Sequence, residues 1–134
     1  MSKRRSIIAR AKKVEREVQQ YLWPGTEFAG NAKRPALEDQ DVRGFDFHGN
    51  EWWGEVKNYS KKNIKKIGVN NLLNRALKQC ECAIDRNENS WYPNRPRSFA
   101  VLWPVYSRDH SERYVLLDTG DIVTLHELKS LISG

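Results

Sequence analysis

The chain has 134 residues, a length that fits one compact domain with its own hydrophobic core and is too short for two ordinary domains. Its 23 Lys and Arg residues outnumber its 17 Asp and Glu residues, and the formal net charge of +6 indicates a polyanionic partner, with nucleic acid as the first candidate. Because no apolar run approaches the roughly 20 residues of a membrane-spanning helix, a membrane partner is not expected.

The first residues predict a basic tail over 1–5, ahead of a single domain that takes in the rest of 1–134. The segment that follows, IIARAKKVERE, is too charged for the apolar core of a signal peptide. Cys80 and Cys82 stand two residues apart in a helical pattern and lack zinc-site spacing, so we expect reduced thiols. Together these features predict a cytoplasmic protein, in the host cytoplasm if it is encoded by a phage.

The first half of the chain predicts a helix followed by strands. Apolar residues recur at helical spacing over 6–22, and Pro24 with Gly25 ends the pattern. A short strand around 27–29 and a polar, basic loop come next. The stretches 41–47 and 51–59 are then typical of two strands joined as a hairpin.

The second half begins with KKNIKKIG, which we interpret as a basic connector, and continues with a helical pattern over 69–84. A polar loop with several Asn and Pro residues leads to two buried strands, in SFAVLWPVY and RYVLLD, and TLHELKSLI predicts a closing helix. This order predicts an α/β or α+β domain with a mixed central sheet flanked by helices.

Charged residues of the hairpin are predicted to share one face. If the loop has three residues, 48–50, Asp41 falls opposite Lys57, and Glu55 lies two residues along on the same side. If the loop is only Gly49 and Asn50, the register changes by one and Asp46 takes the place of Asp41. The sequence leaves both registers open.

Such a cluster has a chemical use. Two carboxylates on neighbouring strands supply the hard oxygen ligands that Mg²⁺ prefers. A lysine beside them could orient or help to deprotonate a water molecule, or neutralise charge that develops on a phosphate. The pattern therefore predicts a metal-dependent nuclease, and the alternative interpretation is a solvated, charged face of a structural hairpin.

The arrangement of Asp41, thirteen intervening residues and then Glu55-Val56-Lys57 resembles the D…(D/E)-x-K signature of the PD-(D/E)XK nuclease superfamily. The restriction-endonuclease-like αβββαβ core of that superfamily matches the order of elements predicted above. The proline that gives the motif its name is absent, since Gln40 precedes Asp41.

Further segments resemble the archaeal and phage Holliday junction resolvases of this superfamily. Glu15-Arg16 in KKVEREVQQYL resembles the Glu-Arg pair of their first helix, and FAGNAKRP resembles the basic loop before the Asp. DVRG and GEVKNY look like their metal-binding strands, and RALKQCECAI resembles the helix after the motif, in which Gln79 would face the site. The resemblance covers residues 8–60 well and from Val69 onward concerns only the order of elements.

The resemblance implies a role for each of these residues. Asp41 and Glu55 would bind Mg²⁺, for which Mn²⁺ could substitute, and Lys57 would assist the attacking water. Glu15 would complete the metal environment or bind a second ion. Its place at the edge of the apolar stripe of the first helix agrees with this role, although an ion pair with Lys12 would also explain it.

Basic residues near these segments are predicted to contact DNA phosphates without reading bases. They are Arg16, Lys33, Arg34, Lys61, Lys62, Lys65 and Lys66.

The expected function is that of a Mg²⁺-dependent endonuclease that cuts branched DNA in recombination and repair, a Holliday junction resolvase in the first place. Because two strands of a symmetrical junction must be cut, a C2 homodimer is expected. Two alternatives stay open at this point: a nuclease of the same type that acts on single strands, flaps or restriction sites, and a basic DNA-binding protein without catalysis.

Overall fold

The computed structural model describes residues 3–26, 41–91, 93–108 and 112–134. Within these ranges, no helix is both long enough and apolar enough to cross a lipid bilayer. The elements in chain order are α1 (Lys3–Leu22), β1 (Val42–Phe45), β2 (Glu51–Tyr59), α2 (Lys61–Ile67), α3 (Val69–Arg86), α4 (Glu88–Trp91), β3 (Arg97–Pro104), β4 (Tyr114–Leu117), β5 (Ile122–Thr124) and α5 (Leu125–Ser133).

In the part of the chain that the structure describes, a five-stranded mixed sheet in the order β1-β2-β3-β4-β5 forms the middle layer. Strands β2 and β3 are parallel, and the other neighbours are antiparallel. A parallel pair needs a crossover, which α2, α3 and α4 provide. The predicted fold class, an α+β domain with a mixed sheet flanked by helices, is confirmed.

Helices cover both faces of the sheet, and β3 shows this most clearly. Its residues Phe99, Val101 and Trp103 pack in one cluster with side chains of α1 and α5. Its alternate residues Ala100 and Leu102 pack in a second cluster with α3. Because both faces are covered, β3 is an almost continuous apolar run without the polar alternation of a half-exposed strand.

The consecutive residues Trp52 and Trp53 follow the same rule. They point to opposite faces of β2, yet their exposed fractions are only 1% and 0%. Trp52 joins the cluster under α1 and α5, whereas Trp53 packs against Cys80 and Ile84 of α3. Both indoles donate hydrogen bonds to carboxylates of the hairpin, which satisfies their polar groups.

Some elements differ from those predicted. Helix α1 begins at Lys3, so the basic residues from there on belong to the helix and not to a tail. The KKNIKKI segment is helical because the side chain of Ser60 accepts a hydrogen bond from the backbone N–H of Asn63 and so caps the first turn. The short strand β5 was not predicted, and the strand expected at 27–29 lies outside the described residues.

The hairpin differs from both predicted registers. Phe45 pairs with Glu51, so the connection has five residues, 46–50. This register places Asp41 beside Glu55 and not opposite Lys57, as the three-residue loop had predicted. Compared with that prediction the pairing is shifted by two residues, and a shift of two keeps every side chain on its predicted face.

The carboxylate of Asp46 is hydrogen-bonded within the loop, and these bonds explain why the loop has five residues. The carboxylate accepts hydrogen bonds from the backbone N–H groups of His48 and Asn50 and from the Trp52 indole. Burial would raise the pKa of Asp46, yet these hydrogen bonds lower it below its usual value. The two-residue loop that would have put Asp46 in place of Asp41 is therefore wrong.

The close approach of β1, β2 and β3 requires a glycine at position 54. A Cβ atom there would overlap the ring of Phe99 and lie 2.7 Å from Cγ2 of Val42. Phe99 and Val42 are both fully buried, so neither can move into solvent. The backbone of the hairpin next to Glu55 thus depends on the missing side chain.

We predict that Gly54→Ala lowers the free energy of unfolding by about 1–3 kcal/mol, because the added methyl overpacks the core. Chemical denaturation measures this, with Asn74→Ala on the exposed side of α3 as the control, for which the change should stay within about 0.5 kcal/mol. Equal stability of the two variants would contradict the packing described here.

Candidate active site

Helix α1 is fixed to β1 by the side chain of Gln19, which is fully buried. Its Oε1 atom accepts from the backbone N–H of Arg43 at 3.0 Å, and its Nε2 atom donates to the carbonyl of Arg43 at 2.8 Å. Nε2 also donates to the Thr26 hydroxyl at 2.8 Å. The amide thus pairs with β1 as a neighbouring strand would, and this fixes the position of α1 along the hairpin.

The docking of α1 brings Glu15 to the start of β1. Glu15 lies one helical turn before Gln19, on the same side of α1, and Asp41 lies two residues before Arg43. The charge of Asp41 acts on both Glu15 and Glu55. Three predicted acidic residues from two distant segments are therefore neighbours.

Asp41 is held by the backbone of β2. Its Oδ2 atom accepts a hydrogen bond from the N–H of Val56 at 2.8 Å, and its own N–H donates to the carbonyl of Gly54 at 3.1 Å. These bonds place the carboxylate of Asp41 directly beside Glu55, the residue between those two partners in β2.

Glu55 is in an environment that disfavours its charge. It is only 9% exposed. Burial, followed by the negative charge of Asp41, raises its pKa to about 8, although Lys57 acts in the opposite direction. The Lys57 ammonium lies 3.5 Å from Oε1 of Glu55, on the same face of β2. One lysine does not fully compensate the crowded carboxylates.

The environment of Glu15, like that of Glu55, disfavours the charged form of the side chain. Burial, followed by the charge of Asp41, raises the pKa of Glu15 to about 7. Lys12 forms an ion pair with Oε2 at 3.5 Å, but its side chain is 52% exposed and compensates only in part. Oε2 of Glu15 is buried and has no hydrogen-bond partner among the described residues. A buried carboxylate oxygen whose cationic neighbour is a half-exposed lysine favours the protonated form of the acid.

These donors fit a divalent cation. Within the described ranges, no three His, Cys, Asp or Glu side chains stand close enough together to form a complete cation site. A Mg²⁺ site does not need one, because this ion keeps several waters and is commonly bound through one or two carboxylates and a substrate phosphate. Asp41 and Glu55 would supply the carboxylates, and the buried Oε2 atom of Glu15, which pairs with the half-exposed Lys12, would supply a further acceptor.

A cavity of about 600 Å³ opens beside the carboxylates, between β2 and α3. Glu55 and Lys57 line it from the sheet, and Gln79, which was predicted to face the site, lines it from α3. The other lining residues are Arg75, Lys78, Cys82 and Arg86. The structure therefore places the predicted acid–lysine pair and Gln79 at one accessible opening.

Those predicted basic residues that the structure describes do not line this opening. Arg16 is on the exposed side of α1, and Lys33 and Arg34 lie outside the described residues. Lys61 and Lys65 line a separate cavity of about 480 Å³ beside Tyr114. Lys62 and Lys66 are exposed on α2 and are not among the residues that line these two cavities.

Gln19 and the cations of α3 were not predicted as site residues. A signal for the latter was present, since Arg75, Lys78, Gln79, Cys82 and Arg86 recur at i, i+3, i+4, i+7 and i+11, which places them on one helical face. Gln19 has no such signal. A polar residue inside the apolar stripe of a helix indicates a buried partner, but the pattern does not say which.

The raised pKa values predict how stability depends on pH when no divalent cation is bound. Glu55 titrates near its ordinary value of 4.5 in the unfolded chain and at about 8 in the folded protein. Between these values the folded state binds more protons than the unfolded state, so the free energy of unfolding falls as pH rises. Thermal unfolding in EDTA from about pH 5 to about pH 9 should show a decreasing melting temperature. Glu55→Gln should flatten this decrease, and an identical slope in both proteins would contradict it.

No protein-family model, curated protein sequence or solved structure matches this chain.

Proposed function

We propose that this protein is a divalent-cation-dependent endodeoxyribonuclease of the PD-(D/E)XK type, acting on branched DNA and in the first place on four-way junctions. The observation that supports it best is the grouping of Asp41, Glu55 and Lys57 on one face of the hairpin, with Glu15 brought to them by α1. A purely structural hairpin has no need for a buried acid such as Glu55, whose pKa is raised.

The residues have distinct parts in this proposal. Asp41 and Glu55 hold the cation, Mg²⁺ or in its place Mn²⁺, and Glu15 completes its environment. When bound, the cation polarises the scissile phosphodiester. Lys57, which lines the cavity, orients the attacking water or neutralises the charge that develops on the phosphate. The hydrogen bond from Val56 keeps Asp41 in position without a contribution from the substrate.

The choice of branched DNA rests on the resemblance of residues 8–60 to the Holliday junction resolvases. The net charge of +6 agrees with any DNA substrate. Resolution of a symmetrical junction requires two cuts related by a twofold axis, so a homodimer belongs to the proposal. An intracellular location accords with DNA as substrate and with the two free cysteines.

We predict that Asp41→Asn and Glu55→Gln abolish cleavage while DNA binding and folding persist. Asn keeps an oxygen that can accept from Val56, and both changes remove a metal-binding charge without changing size. The assay is cleavage of a labelled synthetic four-way junction, a matched linear duplex and a single strand, in Mg²⁺ and in EDTA. Asp46→Asn is the matched control, since Asp46 serves the loop and should affect stability but not the rate per folded molecule.

Paired nicks in the junction alone, dependent on Mg²⁺ and on both carboxylates, would support the proposal in full. Cleavage of duplex, flap or single strand with the same dependence would keep the active site and reject the resolvase role. Salt-sensitive binding without a metal-dependent product would show that the acids are not catalytic and leave a DNA-binding protein.

Glu15 allows a separate prediction. Glu15→Gln should reduce cleavage roughly 10- to 100-fold, with a higher Mg²⁺ concentration needed for half-maximal rate, because the metal environment loses one acceptor charge. Glu17→Gln is the matched control, since Glu17 is two residues away and exposed. If both variants cut as the unmodified protein does, Glu15 has no part in the site.

A further inference from the structure

The cavity beside Glu55 is lined on its α3 side by positively charged residues. Arg75, Lys78 and Arg86 line it from α3, facing Glu55 and Lys57 of β2. Neither Arg75 nor Lys78 has an ion pair with any described residue, and both are exposed. Apart from Glu55, the charged lining of this opening is cationic.

The spacing of these cations suits an extended polyanion. Arg75 and Arg86 are eleven residues apart, which is roughly 16 Å along the helix axis. One DNA strand carries a phosphate about every 3.4 Å of duplex axis. The cationic row can therefore lie along several successive phosphates of a single strand.

Helix α3 is held firmly against the strand that bears Glu55. The Cys80 thiol is fully buried and donates to the carbonyl of Trp53 at 3.2 Å, and Ile84 packs on the Trp53 side chain. Since Trp53 is two residues before Glu55 on the same face of β2, the part of α3 that carries the cations has a set position relative to Glu55.

We propose that the α3 face formed by Arg75, Lys78 and Arg86 binds the phosphates of the DNA strand that is cut, on one side of the scissile bond. The proposal rests on the proposed function and names the surface that aligns its substrate. It assigns this task to α3 in preference to the lysines of α2. Arg75 and Lys78 act as positioning residues, since the cation and the attacking water belong to the hairpin.

The test uses Cys82, which lines the same cavity and is exposed, whereas Cys80 is buried. The rate of Cys82 modification by N-ethylmaleimide is measured with and without four-way junction or duplex DNA, in EDTA, so that nothing is cut. The same rates, the salt dependence of binding and the cleavage rate in Mg²⁺ are measured for two double variants. One is Arg75→Gln with Lys78→Gln, and the charge-matched control is Lys62→Gln with Lys66→Gln on exposed positions of α2.

DNA should slow modification of Cys82 at least roughly fivefold in the unmodified protein and in the α2 variant, because each keeps its α3 phosphate contacts. In the α3 variant this protection should be lost, the slope of log binding constant against log salt should shrink by about two, and kcat/KM should fall roughly tenfold below that of the α2 variant. Equal loss in both double variants would show that only net charge matters and would overturn the proposal.

The outcomes separate this inference from the proposed function. Junction cleavage without protection of Cys82 in the unmodified protein would reject the α3 surface and keep the nuclease. Protection that depends on Arg75 and Lys78, in a protein that cuts no DNA, would keep the α3 surface as a DNA-binding site and reject the nuclease.

Discussion

The geometry of the candidate site depends on the side chain of Gln19, which pairs with the backbone of β1 as a neighbouring strand would. The Gln19 amide both donates to and accepts from the backbone of Arg43, so α1 is aligned with β1 by hydrogen bonds as well as by apolar packing. Apolar contacts alone fix such an alignment weakly, because they are not directional. The Gln19 amide and the backbone of Arg43 are buried polar groups that must pair with each other, so they fix the alignment of α1 closely. A shift of α1 along β1 would leave both groups without hydrogen bonds. The position of Glu15 beside the hairpin follows from this alignment.

The carboxylate cluster makes the protein less stable than it could be. Asp41, Glu55 and Glu15 share a partly buried region, and the pKa values of Glu55 and Glu15 rise because burial and mutual repulsion favour the protonated forms. The neighbouring lysines pair with single carboxylates at 3.5 Å and do not neutralise the group. A region that holds acids at such a cost agrees with the proposed cation site.

The cavity between β2 and α3 is lined by charges of both signs. Glu55 and Lys57 come from the sheet, and Arg75, Lys78 and Arg86 come from α3. The Cys80 hydrogen bond and the packing of Trp53 keep the two walls together. A cation held by the acids and a phosphate chain held by the helix would each be drawn to the wall of opposite charge. In this arrangement the residues of the sheet would carry out the chemistry and α3 would align the DNA strand. The choice of substrate would depend on the rest of the protein surface.

The sequence by itself determined the three longer helices α1, α3 and α5 and most strands, through their apolar periodicity, and it predicted a cluster of Glu55 and Lys57 with either Asp41 or Asp46. Asp41, Glu55 and Lys57 share a face in the predicted three-residue-loop register and in the observed one, because a shift of two residues preserves the alternation of a strand. Only the tertiary structure decided the length of the loop, which follows from the donors that surround Asp46. It alone also brought Gln19 to Arg43 and the cations of α3 to Glu55. Local patterns specify which face a residue occupies, but contacts between distant segments depend on how whole elements pack, and that packing is a property of the complete core.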